Sequence, residues 1–249
     1  MRYTLWPSFS TPDISNSNSQ LHGEEEDMKT LLQMDNSPQP ECARKPQITV
    51  YSDYVCPFCL LAERVLSEAI GGRKLSITWR AFELRPEPVP TLRVEDGYLP
   101  KVWKESVYPL AEELGVPIHL PPISPQPRTA KAFELLAMAQ DKGLDHPYSM
   151  RVLRAFFREG RDIGDTEILI GLADEAGLDS QEARAALESG RYAARHREAL
   201  RHAREDMAIT SVPTIVVGER IFRGTPPLDA LRQALEELEA NQSKPRANA

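Results

Sequence analysis

Long apolar runs are missing from this 249-residue chain. No stretch approaches the roughly 18 residues needed to cross a bilayer, so no membrane helix is expected. Basic charge is also in short supply. Thirty Lys and Arg stand against 37 Asp and Glu, giving a formal net charge of -7 and no positive field to draw in nucleic acid or anionic lipid. Cysteine is scarce, with three in all. Three thiols cannot form a fully paired disulfide framework, and a chain of this length with 41% apolar residues buries a core without such staples. The opening residues MRYTLWPSFSTPDISNSNSQ lack the charged flank, apolar stretch and small-residue cleavage site of an export signal, so a soluble cytoplasmic protein is expected.

Residues 1–45 are rich in Ser, Asn, Gln, Pro and Glu without sustained periodicity and read as a disordered arm. It carries Cys42, a thiol with no shaped surroundings to make it reactive. From Gln47 the pattern changes. Ile48, Val50 and Tyr51 make a β-prone run, Pro57 stands where a helix can begin, and Gly71-Gly72 ends that helix. Leu75, Ile77 and Trp79 alternate as a second strand, which completes a βαβ unit. Pro86, Pro88 and Pro90 then interrupt regular structure.

Helices are expected near 101–114, 127–142, 147–158, 165–176, 179–189 and 191–207. The last carries Tyr192, His196, Ala199, Leu200, Ala203 and Met207 on a face that reads as core. Asp179 and Glu182 have capping-box spacing. Strand character returns at Thr214–Val217, with Gly218-Glu219 as a hairpin turn before Arg220-Ile221-Phe222. A final helix follows Pro226-Pro227, its Leu228, Leu231, Leu235 and Leu238 spaced by three and four. The element order is β-α-β, helices, β-β-α.

Two of the three cysteines sit in SDYVCPFCL, residues 52–60, between the first strand and its helix. A thiolate at a helix N-terminus meets the positive end of the dipole and unpaired N–H groups, which shift its ionisation below the free-thiol value of about 8.5. Cys56 is therefore the expected nucleophile at the exposed end. Cys59, nearly one turn later, is the more shielded partner that resolves a mixed disulfide. C-x2-C is also half of a zinc site, but the remaining cysteine lies in the arm and no second pair exists, so a zinc-dependent binding module is the weaker alternative. No metal ligand set is assigned.

Asp53 could accept a proton during resolution, although an Asp just before a helix more often serves a turn or cap. Phe58 is either a platform for substrate or cover for the site. Arg191, Arg195, Arg197, Arg201 and Arg204 crowd one helix as a solvated basic face. His196 and His202 lack the i, i+4 spacing of metal ligands and are treated as structural. Ser211-Val212-Pro213-Thr214 stands directly before the returning strand.

Taken together, YSDYVCPFC, the FREGRDIGD stretch at 157–165, and SVPTIVV with its glycine-turn hairpin give residues 47–240 a resemblance to the DsbA-like branch of the thioredoxin superfamily, particularly its FrnE-like members. The resemblance implies an α/β thioredoxin-like fold, 46–98 and 208–241, with an inserted all-helical domain, 99–207, and a flexible tail, 242–249. It also implies that Pro213 is a cis proline facing the cysteines and that Val212 pairs with substrate backbone. The activity implied is thiol–disulfide exchange on disulfide-containing proteins or small thiols, with no cofactor beyond the dithiol. Pro57-Phe58 between the cysteines places no His beside the nucleophile, which argues against an extreme oxidant and for a reducing or isomerising enzyme. Relatives of the fold include hydroxychromene carboxylate isomerases with a serine at the reactive position, so a glutathione-dependent isomerase or transferase is the alternative.

Overall fold

The computed structural model describes residues 47–243; Cys42, the expected disordered arm and most of the expected tail lie outside the described residues. β1 (Gln47–Ser52) leads through a short loop into α1 (Pro57–Ile70) and back into β2 (Ser76–Ala81). β1 and β2 are parallel, with Val50 opposite Trp79. β3 (Thr214–Val217) runs antiparallel on the other side of β1, and β4 (Arg220–Arg223) closes the sheet in the order β2-β1-β3-β4. Gly218 sits at φ 59°, the left-handed backbone that the β3–β4 turn requires and that glycine adopts without a Cβ clash.

β1 is the central strand beside β3, and this explains its composition. Ile48, Val50 and Tyr51 point to both faces of the sheet and all are buried. The outer edge of β2 is closed by side chains: the Trp79 N–H donates to Asp145 Oδ2 at 3.0 Å and Gln140 Nε2 donates to the Trp79 carbonyl at 2.7 Å. Those bonds occupy backbone groups that would otherwise template pairing with another strand.

Between β2 and β3 run α2 (Tyr98–Val102), α3 (Tyr108–Glu113), α4 (Ala130–Asp141), α5 (Asp145–Glu159), α6 (Thr166–Glu175), α7 (Ser180–Ser189) and α8 (Ala193–Arg201). α9 (Leu228–Ser243) follows the hairpin and packs on α1. The expected helix at 101–114 starts earlier, at Tyr98, and widens into a π turn over Trp103–Val107. Pro109 lies just beyond, with no N–H to give to the Glu105 carbonyl, and a wider turn relieves that mismatch. α8 also ends in a π turn, His202–Asp206.

Asp179 accepts from the Glu182 N–H at 2.7 Å, as the capping spacing suggested, while the Glu182 carboxylate pairs with Lys142 at 2.8 Å. The FREGRDIGD stretch turns α5 into α6. Gly160 is left-handed, Ile163 is fully buried, Arg161 bonds Glu175, and Asp165 accepts from the amides of Glu167 and Ile168 to cap α6.

One apolar core joins Ile48 and Ile215 of the sheet, Leu61 and Leu66 of α1, and Phe133, Phe156 and Leu169 of the helices. Each of those Leu side chains at 0–1% exposure contributes on the order of 2 kcal/mol. Met207 departs from the expected core face of the last inserted helix: the π turn ends at Asp206 and leaves Met207 exposed, whereas Tyr192, His196 and Ala203 are buried. Among the described residues no helix is long and apolar enough to cross a membrane.

Candidate active site

β1 ends at Ser52, and the loop Asp53–Val55 delivers Cys56 to the N-cap of α1 with Pro57 at its first turn. The Cys56 N–H donates to the Asp53 carbonyl at 3.0 Å, and the Cys59 N–H to the Cys56 carbonyl at 3.1 Å, so both cysteines are fixed by backbone geometry. Tyr54 anchors the loop from below. It is fully buried, stacks on Phe133 at 4.7 Å, meets Tyr148 edge-on at 6.2 Å, and its hydroxyl bonds Ser149 Oγ at 3.1 Å. Tyr148 in turn donates to the Ala132 carbonyl at 2.9 Å. The cysteine loop is thereby seated on α4 and α5, which pack on one another.

Both cysteines are free thiols. Cys56 keeps 5% exposure and Cys59 1%, so the expected order of shielding holds, but Cys56 is not the open thiol that its place at a helix end suggested. The difference arises from the chain that crosses it. The Cys56 thiol donates to the Val212 carbonyl at 3.4 Å, and Val212 precedes buried Pro213 through a cis peptide at the start of β3. Cys56, Val212 and Pro213, separated by more than 150 positions in sequence, thus meet at one end of the sheet. Phe58 is half-buried and packs on the core from α1.

Burial pushes the Cys59 thiol well above its ordinary range, and the adjacent Cys56 sulfur adds to the rise; the Ser52 hydroxyl and the Asp53 backbone pull the other way. Ser52 Oγ is buried beside this thiol without an aligned hydrogen-bond partner.

Asp53 is 1% exposed. One carboxylate oxygen accepts the Leu84 N–H at 2.7 Å, and the other is buried without an aligned partner. Burial pushes this carboxyl up to about 6; the Leu84 amide and the Thr129 hydroxyl favour the ionised form, and the nearby Glu83 charge opposes it. Asp53 also lines a cavity of roughly 50 Å³ with Val55, Leu84, Leu92, Gln126 and Thr129, a volume that accommodates water. Its carbonyl makes the turn that was expected. Its buried carboxyl, turned toward Leu84 and Thr129, is the part that sequence leaves open between two options.

The sequence reading missed Ser52, Tyr54 and the Glu83–His196 pair. Tyr54 had a signal, since it sits inside the cysteine motif. His196, which its spacing marks as structural, is 4% exposed, stacks on Phe133 at 5.4 Å, and bonds Glu83 through Nε2 at 2.6 Å. His202 is exposed and pairs with Asp206 at 2.7 Å. The arginines of α8 are largely paired at the surface, as expected of a solvated face, with Arg195 on Asp141 and Arg201 on Glu198, Glu205 and Asp206. Arg204 lies in the π turn after α8. It donates to the Glu83 carbonyl at 2.8 Å and lies over the Phe82 ring.

Comparison with known proteins identifies the chain as a member of a family: residues 47–236 match the DSBA-like thioredoxin domain, and the protein belongs to it. It is 43% identical over 191 residues to the uncharacterized protein YwbO of Bacillus subtilis (strain 168), an alignment covering 76% of this chain and 96% of that one. Among solved structures it is similar to a probable DsbA oxidoreductase from Streptomyces coelicolor, with a TM-score of 0.67, 21% identity, and coverage of 82% of this chain and 93% of that one. It is also similar to the cytosolic disulfide reductase DsbM from Pseudomonas aeruginosa, solved with GSH, with a TM-score of 0.59, 18% identity, and coverage of 78% and 99%. These two likenesses establish the fold. The mixed sheet and the many helices between β2 and β3 are those of a DsbA-like thioredoxin fold.

Proposed function

We propose that this DSBA-like protein is a cytoplasmic thiol–disulfide oxidoreductase that reduces or isomerises disulfides through Cys56 and Cys59. The observation that carries this reading is the pair of free thiols at the N-terminus of α1, with the Cys56 thiol 3.4 Å from the Val212 carbonyl. The Cys56 thiolate attacks one sulfur of a substrate disulfide, forms a Cys56–substrate mixed disulfide, and expels the other substrate sulfur as a thiolate that takes up a proton. Cys59 then loses its proton and attacks the Cys56 sulfur. The Cys56–Cys59 disulfide forms, the second substrate thiol leaves, and two electrons have passed from the dithiol to the substrate. The reverse sequence oxidises a dithiol.

Each neighbour has a task in this scheme. The Val212 backbone, ahead of Pro213, pairs with the extended chain flanking the attacked sulfur, and Phe58 forms an apolar wall beside it. Asp53 takes the Cys59 proton and passes it to the cavity it lines, the role suited to a buried carboxyl whose proton affinity lies near neutrality. A small thiol such as glutathione, the ligand named with DsbM, regenerates the dithiol in two exchange steps.

Cys59→Ser tests the division of labour. With a disulfide-linked peptide as substrate, the variant should accumulate protein carrying one peptide on Cys56, seen by intact mass, while the wild-type protein should release it. A glutathione-dependent isomerase or transferase of this fold is the alternative, and it predicts turnover that survives Cys59→Ala. Two paired thiols, the second buried at 1% exposure, favour exchange. Full turnover in Cys59→Ala would decide for the alternative.

A further inference from the structure

Glu83 and His196 are 113 positions apart and form a buried pair at 2.6 Å, and the exchange scheme above gives neither a task. A buried carboxylate needs such a partner, since burial otherwise drives it to take up a proton. The pair is tied to the active site by one peptide unit. The peptide joining Glu83 to Leu84 donates its N–H to Asp53 at 2.7 Å and accepts Arg204 on its carbonyl at 2.8 Å. The Asp53 carboxylate and Glu83 therefore share one peptide link, and a charge on Glu83 disfavours ionisation of Asp53. His196 is itself held by stacking on Phe133, the ring that also stacks on Tyr54 of the cysteine loop.

Other charges face the pair. From α4 come Lys131 and Glu134, the latter close enough to feel His196; from α8 and the turn after it come Arg197, Arg201 and Arg204; Arg128 and Glu87 lie on the loops. On the opposite side of α8, His196 shares a second cleft with Arg80, Arg195, Glu198 and His202. Lys131 is bonded to Thr166, Arg128 to Glu87, and Arg201 to its own acidic neighbours, so within this set Glu83 is the carboxylate tied through a shared peptide to Asp53.

We propose that Glu83, bonded to His196, is a positioning residue for Asp53 that acts through their shared peptide on the pH range in which Cys59 resolves the mixed disulfide. This rests on the dithiol-exchange reading, yet its first consequence is measurable without turnover. In reduced protein, the carboxyl carbon of Asp53 is followed by NMR from pH 4 to pH 8 in wild type, Glu83→Gln, His196→Phe and the double variant. Glu83→Gln, close to isosteric, should lower the Asp53 midpoint by about one pH unit, the scale on which a neighbouring charge acts. His196→Phe keeps the ring stack and removes the bond to Glu83; a buried carboxyl without a partner favours its neutral form, and the Asp53 midpoint should fall in the same direction. The double variant should match Glu83→Gln. In stopped-flow measurements of the resolving step, the pH of half-maximal rate should move with the Asp53 midpoint, with Glu83→Asp restoring the wild-type profile. An Asp53 midpoint unmoved in Glu83→Gln, or raised in His196→Phe, overturns the proposal. Absence of disulfide exchange in wild type would instead overturn the exchange reading, with the NMR comparison unaffected.

Discussion

Cys56→Ser should reduce disulfide-reductase and refolding activity by on the order of a thousandfold or more while leaving the fold in place. A serine hydroxyl is almost wholly protonated at neutral pH and is a poor attacker of sulfur, so the variant loses the step that forms the mixed disulfide. Removal of a nucleophile has an effect of this size because the remaining groups act through it. The structural cost is small. Cys56 is 5% exposed, its neighbour of chemical consequence is the Val212 carbonyl, and a serine hydroxyl makes the same donation. A shift of about 1 kcal/mol in unfolding free energy, the scale of burying one hydroxyl with a partner, is the expected limit. The measurement is turnover of a fluorescent disulfide and recovery of a scrambled disulfide protein, alongside denaturant unfolding. Undiminished activity in the folded variant would remove the dithiol mechanism altogether. Loss of activity accompanied by a collapsed unfolding midpoint would mean that Cys56 is framework, and the Cys59→Ser mass experiment would then carry the decision.

Much of this arrangement could be read from local sequence because its determinants are local. Alternation of apolar residues fixes β1 and β2, Pro57 and Gly71 bracket α1, and a C-x2-C in that frame puts its thiols on the first turn of a helix. Pro213 ahead of Thr214–Val217 marks a strand start in the same way. What escaped was long-range. Glu83 sits in an irregular stretch before the prolines, and His196 sits on a helix whose other faces carry arginines; nothing in either neighbourhood shows that they meet. The burial of Cys56 depends on the return of the chain at Val212, more than 150 residues later. Asp53 was ambiguous for a different reason. Its backbone does make the turn that its position suggests, and the same residue buries its side chain against Leu84 and Thr129. Local pattern reports the backbone role; only tertiary packing determines the ionisation of the side chain.

Asp53→Asn should separate stability from catalysis. The carboxyl has an ordinary value near 3.8 and is pushed up to about 6 in the folded protein, chiefly by burial. The folded state therefore binds the proton more tightly than the unfolded chain. At pH below about 3.8 both states are protonated and Asp53 imposes no penalty; as pH rises from there through about 6, the unfolded chain ionises first and stability is progressively lost. Above that window the folded protein holds a buried carboxylate at a cost of about 3 kcal/mol, at 1.36 kcal/mol per unit. Asn retains an oxygen for the Leu84 N–H and a donor for the Thr129 hydroxyl, without charge. The difference in unfolding free energy, variant minus wild type, should therefore grow by about 2 kcal/mol between pH 4 and pH 8, with the variant gaining at alkaline pH. The same substitution removes the acceptor proposed for the Cys59 proton. The resolving step should slow by roughly a hundredfold, the usual scale of general-base catalysis, and lose its inflection near pH 6, while formation of the mixed disulfide by Cys56 is unchanged. Parallel unfolding curves at the two pH values would show that the carboxyl titrates as an ordinary surface acid. A resolving rate that keeps its inflection in the variant would assign that inflection to another group and remove Asp53 from the proton path.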